Sequence, residues 1–142
     1  MKVLIASDHA GYALKQILVK KCPHFQDLGP FAEASVDYPD FANLVASQVN
    51  QDPSMTHGIL ICGSGQGMCM RANKFSNVKA ALCFTENQAE LARLHNDANI
   101  LCLGSRVTDS ELSILITLKF FSTPFEGGRH QSRVQKLIAP AT

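Results

Sequence analysis

This chain has little charge. Of its 142 residues only 18% are charged, and Lys plus Arg (13) barely exceeds Asp plus Glu (12), giving a formal net charge of +1. A protein that grips nucleic acid through a broad basic face, or docks on an anionic membrane, needs a one-signed excess that is missing here. No apolar run approaches the roughly 20 residues that span a bilayer; the longest, Ile114 to Phe121, is interrupted by Thr117 and Lys119. The opening stretch meets Ser7-Asp8 directly after Ala6 and reads as a first strand, not a leader. The five cysteines, Cys22, Cys62, Cys69, Cys83 and Cys102, form an odd, scattered set with no Cys-x-x-Cys pair. Such a set suits neither a disulfide framework nor a zinc site, and fits a reducing, cytoplasmic setting. Repeats, low-complexity tracts and internal linkers are also missing.

What is present suffices for a core. The hydrophobic share is 46% over a length that suits one domain, residues 1–142. With so little charge to cover the surface, a face buried between copies is one use for the surplus.

Strand-like and helix-like segments alternate along the chain. Val3 to Ala6 leads to a helix from Ala10 to Lys21 with Ala13, Leu14, Ile17 and Leu18 on one stripe. A weaker strand over Phe25 to Leu28 ends at Gly29-Pro30, and Tyr38-Pro39 opens a helix carrying Phe41, Leu44, Val45 and Val49 until Asp52-Pro53. Gly58 to Cys62 is apolar on both faces, the pattern of a central strand in a parallel sheet. Further strands are expected over Lys79 to Phe84 and Asn99 to Leu103, with helices after each. Thr85 with Gln88 reads as a capping box, Thr108 or Asp109 as the next cap, and Arg129 to Ile138 as a last amphipathic helix. This rhythm calls for one parallel sheet covered by helices on both faces, with ligands at the carboxyl ends of the strands.

Those strand ends carry the chemistry. Asp8 and His9 follow the first strand; there Ser7 or Asp8 could simply cap a helix while His9 faces solvent. Cys62 and the run Gly63-Ser64-Gly65-Gln66-Gly67 follow the third. Glycines so spaced can aim amide N–H groups at one point, a cradle for negative charge that would favour a thiolate at its mouth. The same residues also suit a buried cysteine followed by a tight turn. A Walker loop fails because Gly67 is followed by Met68-Cys69, and a Cys-x5-Arg phosphatase fails because position 68 is not Arg. A dinucleotide loop survives only weakly, as GxGxG with Glu86 about 20 residues on. His95 could be a favourable cation at a helix end, with Asn96 and Asn99 as turn residues. Arg129 and Arg133 leave one helix face together and would form either a phosphate clamp or a solvated surface.

Taken together these segments resemble a family. Asp8-His9-Ala10-Gly11, Asp37-Tyr38-Pro39, Gly58 through Gly67, Ala72-Asn73-Lys74, His95-Asn96-Asp97-Ala98-Asn99, Gly104-Ser105-Arg106 and Gly127 through Arg133 look like ribose-5-phosphate isomerase type B, in order from Lys2 to about Ile138. The resemblance implies a Rossmann-like three-layer α/β/α sandwich with a five-stranded parallel sheet. It implies a homodimer, with a dimer of dimers as a further option, whose active sites lie at the interface, and neither metal nor organic cofactor. The reaction would interconvert ribose 5-phosphate and ribulose 5-phosphate in the pentose phosphate pathway.

By the same resemblance Cys62 moves the proton, the amides from Gly63 to Gly67 hold the oxyanion, and Ser64 assists at the sugar oxygens. His95 opens the ring with Asp8 nearby. His9, Tyr38, Gly63, Ser64, Gly65, Gln66, Gly67, Asn96, Arg106, Arg129 and Arg133, with Asp8, contact the sugar phosphate. The family's glutamate branch places its base where this chain has Met68, so the chain resembles the cysteine branch; Arg71 stands where small residues are usual. The rival expectations are an isomerase of allose 6-phosphate or galactose 6-phosphate, and a non-catalytic nucleotide-binding domain.

Overall fold

A computed structural model describes residues 1–141. Its elements run β1 (Lys2–Ser7), α1 (Tyr12–Lys21), β2 (Gln26–Asp27), α2 (Tyr38–Gln51), β3 (Thr56–Cys62), α3 (Gln66–Ala72), β4 (Ala80–Leu82), α4 (Glu86–Asn96), β5 (Ile100–Gly104), α5 (Ser110–Ser122) and α6 (His130–Ile138). The strands form one parallel sheet in the order β2-β1-β3-β5-β4. Strand β3 is therefore central, as its apolar run requires, and every residue from Thr56 to Cys62 is buried.

Two apolar layers sandwich the sheet. On one face Leu14 and Leu18 of α1, Ala89 and Ala92 of α4, and Ile116 and Phe120 of α5 pack on Val3, Ile5, Ile59, Ile61, Leu101 and Leu103. On the other, Ala42, Val45, Ala46 and Val49 of α2 and Met68 and Ala72 of α3 pack on Leu4, Ala6, Leu60, Ile100 and Cys102. The small residues let α2 lie close to the sheet: a Cβ on Gly58 would sit 2.4 Å from Val45 Cγ1.

The expected elements are all present, and the differences have physical reasons. Strands β2 and β4 shrink to Gln26–Asp27 and Ala80–Leu82 because each is an edge strand with a single partner. In α1, Leu14 and Leu18 are buried but Ala13 and Ile17 face outward. Lys15 takes their place: its Nζ, fully buried, donates to Asp27 Oδ1 and Oδ2 at 2.8 and 2.7 Å and to the Pro30 carbonyl at 3.0 Å. In α2, Leu44 is likewise exposed, and the inner stripe is Ala42, Val45, Ala46 and Val49. At α4, Thr85 Oγ1 accepts the Gln88 N–H at 3.0 Å, while Gln88 Oε1 accepts from Phe84 N–H at 2.7 Å, one residue before the cap. Asp109, and not Thr108, caps α5 by accepting the Leu112 N–H at 2.8 Å.

Candidate active site

The strand order reverses between β1 and β3, and parallel sheets open a crevice at such a point. A cleft of about 420 Å³ lies there, lined by Asp8, Tyr38, Cys62, Gly63, Ser64, Gly67, Arg106 and Val107. It unites the residues following β1, β3 and β5 with the first residue of α2.

Each wall is held by backbone chemistry. The Asp8 N–H donates to the Ile61 carbonyl at 3.1 Å, docking the β1–α1 corner on β3. Asp8, itself buried, accepts the Gly11 N–H on Oδ1 at 3.0 Å, so one oxygen braces the corner. His9 is not a free surface imidazole: its Nδ1 accepts the Val36 N–H at 3.2 Å. That bond places the ring proton of neutral His9 on Nε2, as a donor for a ligand. It also ties the loop that leads into Tyr38.

The glycine loop turns on Gly65, whose φ of +79° is left-handed. Its N–H donates to Cys62 Sγ at 3.2 Å, the contact that stabilises negative charge on sulfur. The Gln66 N–H goes instead to Ser64 Oγ at 3.3 Å, so Ser64 braces the loop as well as lining the cleft. The β5–α5 loop is laced to the same turn: Ser105 N–H reaches the Cys62 carbonyl and Arg106 N–H the Gly63 carbonyl, both at 2.9 Å. Ser105 Oγ donates to Ala10 O at 2.8 Å, and also contacts Cys62 O at 3.3 Å. Ser105 thus links all three loops, a role that only the fold reveals. Met68 is fully buried among apolar side chains, where a catalytic carboxylate would find no solvent.

A second group of expected residues lies elsewhere. His95 and Asn96 end α4, just before the turn into β5 at the amino end of the sheet, where the Asn99 carbonyl accepts from Gly58 N–H. Cys62 ends β3 at the opposite edge, roughly 15–20 Å away along the strand at about 3.3 Å per residue. Within one chain His95 therefore does not stand near Asp8. It stacks on His130 instead, ring centroids 4.3 Å apart, at the end of α6 that carries Arg129 and Arg133. Burial lowers the His130 pKa, with the neighbouring His95, Arg129 and Arg133 adding to the effect and Glu126 opposing it. Among the described residues no carboxylate pairs with Arg106, Arg129 or Arg133. Three guanidiniums thus remain open to an anion.

Other features belong to neither group. Glu86 follows the edge strand β4, separated from β3 by β5, and cannot serve as the ribose-binding acid of a dinucleotide loop at Gly63–Gly67. Arg71 points to α2, where its Nε donates to Asn43 Oδ1 at 2.7 Å. A larger hollow of about 740 Å³, with Phe75, Val78, Ala80 and Leu137 in its lining, also takes in Asn96 but shares no residue with the cleft at Cys62.

A family model described as Ribose/Galactose Isomerase matches residues 3–137. The chain belongs to this family. Ribose-5-phosphate isomerase B of Escherichia coli K12 is 39% identical over 142 residues, covering 97% of this chain and 95% of that protein. A Mycoplasma genitalium protein named "Probable ribose-5-phosphate isomerase B" is 52% identical, covering 96% of this chain and 93% of its own length. Among solved structures in the family, ribose-5-phosphate isomerase B from Mycoplasma genitalium with bound ribulose 5-phosphate superimposes with a TM-score of 0.93 at 47% identity, over 96% of this chain and 93% of that one. The three-layer architecture with five parallel strands is thus the family's.

Proposed function

We infer that this chain interconverts D-ribose 5-phosphate and D-ribulose 5-phosphate, with Cys62 as the base. The observation that carries the reading is the cleft at the β1/β3 reversal, where a cysteine sulfur held by a backbone N–H faces Asp8, Ser64 and Arg106. Aldose–ketose isomerisation moves one proton between neighbouring carbons and is redox-neutral. Cys62 takes the proton from carbon 2 of the open-chain sugar and returns it to carbon 1. The negative charge that develops on the sugar oxygens in between is met by the Ser64 hydroxyl and by those N–H groups of the Gly63–Gly67 turn that Cys62 Sγ and Ser64 Oγ do not already hold.

The rest of the site comes from a second copy. His95 and Asn96, with Arg129 and Arg133, sit too far from Cys62 in one chain to share a five-carbon substrate with it. A two-fold dimer would place them over the partner's cleft. His95 then serves ring opening, the arginines grip the phosphate, and His9 Nε2 adds a donor. The enzyme works in the cytoplasm, a reading supported by its free cysteines. No helix is long and apolar enough to cross a membrane among the described residues. A place in the non-oxidative pentose phosphate pathway follows from the reaction.

The test is turnover of ribose 5-phosphate to ribulose 5-phosphate beside allose 6-phosphate, with Cys62→Ala as control. Turnover in the native enzyme and at least a thousandfold loss in the control is expected. Near-normal turnover by Cys62→Ala would overturn the assignment of the base. A preference for allose 6-phosphate would keep the chemistry and change the substrate.

A further inference from the structure

Beyond the cleft, one cluster of side chains has a donor set of its own. The C-terminal end of α4 and the turn before α6 bring together His95, Glu126 and His130, whose ligating atoms all lie within 4.8 Å of one another. Glu126 Oε2 is 3.6 Å from His95 Nε2 and 3.8 Å from His130 Nε2. The segment carrying the carboxylate is fixed to α4 by the bond from Glu126 N–H to the Leu94 carbonyl at 3.0 Å.

We propose that His95, Glu126 and His130 form a binding site for a divalent ion of the zinc class, and that zinc there inhibits the enzyme by competing with the sugar phosphate. Two imidazoles and one carboxylate are a donor set that zinc takes with an open fourth position for water. Zinc–nitrogen bonds of about 2.0–2.1 Å require the two rings to fan out from their stacked arrangement, a side-chain rotation the half-exposed His95 can make. The charges around the site act in both directions. The carbonyl end of α4 and Glu126 favour a cation, while Arg129 and Arg133 oppose it. Arg129 Nε reaches His130 Nε2 at 3.5 Å, a long contact that the metal must displace. Those opposing arginines limit the affinity, and the competition comes from His95: an imidazole bound to the ion cannot also meet the sugar, so the ion and the sugar phosphate exclude one another there.

The inhibitory half of this proposal rests on the reading of His95 as the ring-opening group; the binding half does not. Binding is read with cobalt(II) as an optical probe on the full-length protein, with zinc competition. One ion per chain with ligand-field bands and no thiolate charge-transfer band is expected, since His and carboxylate bind it and cysteine does not. Glu126→Gln and His130→Gln should each weaken binding at least tenfold. Glu126 is exposed, so its variant folds even where the buried His130 is less tolerant of change. In turnover, zinc should raise the apparent KM for ribose 5-phosphate, and Glu126→Gln should need about ten times more zinc for the same effect. A charge-transfer band, or binding unchanged in both variants, would place the metal on cysteine and overturn the site. Normal binding without inhibition would overturn the inhibitory role alone.

Discussion

Gly65→Ala tests the architecture of the glycine loop with a single methyl group. The residue holds φ at +79°, where an L side chain costs about 1–2 kcal/mol. The added Cβ would also meet Leu82 Cδ1 at 2.5 Å and the Leu103 backbone carbon and oxygen at 3.0 and 3.1 Å. The Leu82 methyl can swing away, but the β5 backbone cannot, so overpacking adds about 1–3 kcal/mol. A total near 3 kcal/mol should lower Tm by about 10 °C in a domain of this size. Because the Gly65 N–H is the donor to Cys62 Sγ, turnover should fall further than the folded fraction does. Gly127→Ala is the control: its φ is +72° but nothing lies within 4 Å of its Cβ, so only the conformational cost of about 1–2 kcal/mol applies. Denaturant unfolding and ribose 5-phosphate turnover on both variants separate the two contributions. Equal destabilisation in both, with full turnover in Gly65→Ala, would refute the reasoning.

Ser105→Ala should cost about 1 kcal/mol in denaturant unfolding for its lost hydrogen bond, yet reduce kcat severalfold, since Ser105 Oγ ties the Asp8 corner to the Cys62 turn. Unchanged kcat would show that the lacing is dispensable. Lys15→Met leaves Asp27 without its buried cation and should destabilise by about 3–5 kcal/mol, while the double variant Lys15→Met/Asp27→Leu should recover much of that loss in chemical denaturation. No recovery would show that the pair is worth more than its desolvation. His57 is buried, and desolvation, with Arg93 adding to it, lowers its pKa from 6.5 to about 4. The unfolded chain then binds more protons between those values. Stability is fully present above pH 6.5 and declines as pH falls toward 4, by about 1–2 kcal/mol after allowing for residual hydration. His57→Gln should flatten that stretch of the pH–stability curve; an unchanged slope would assign it to other groups.

Much of the fold was legible in the sequence because its signals are local and strong. Gly58 to Cys62, apolar on both faces, has the pattern of a central strand, and Thr85, with Thr108 or Asp109 further on, marks a helix start by its own side chain. The inner face of α1 was misread because Lys15 is buried by a partner, Asp27, that lies in another element, and hydrophobic periodicity carries no information about such a pair. For the candidate site, Asp8, Cys62, Ser64 and Arg106 converge because they follow strand ends, which the alternation of elements predicts, and Tyr38 joins them from the start of α2. The separation of His95 from Asp8 follows from the same alternation, because a helix-to-strand turn of a parallel sheet lies at the amino ends of the strands; the resemblance set the two residues together without saying that one chain could not supply both. The role of Ser105 also needed the fold, since its acceptors lie 95 and 43 residues away.

The central claim is that one catalytic site needs Cys62 of one chain and His95 of another. Cys62→Ala and His95→Ala, each expected to be nearly inactive alone, should be unfolded together in equal amounts and refolded. Half the dimers formed are then mixed, each with one intact site of two, so turnover should recover to about a quarter of the native level. Recovery to that level would establish the shared site. Turnover no higher than the sum of the two variants, with mixed dimers demonstrated by mass, would contradict it.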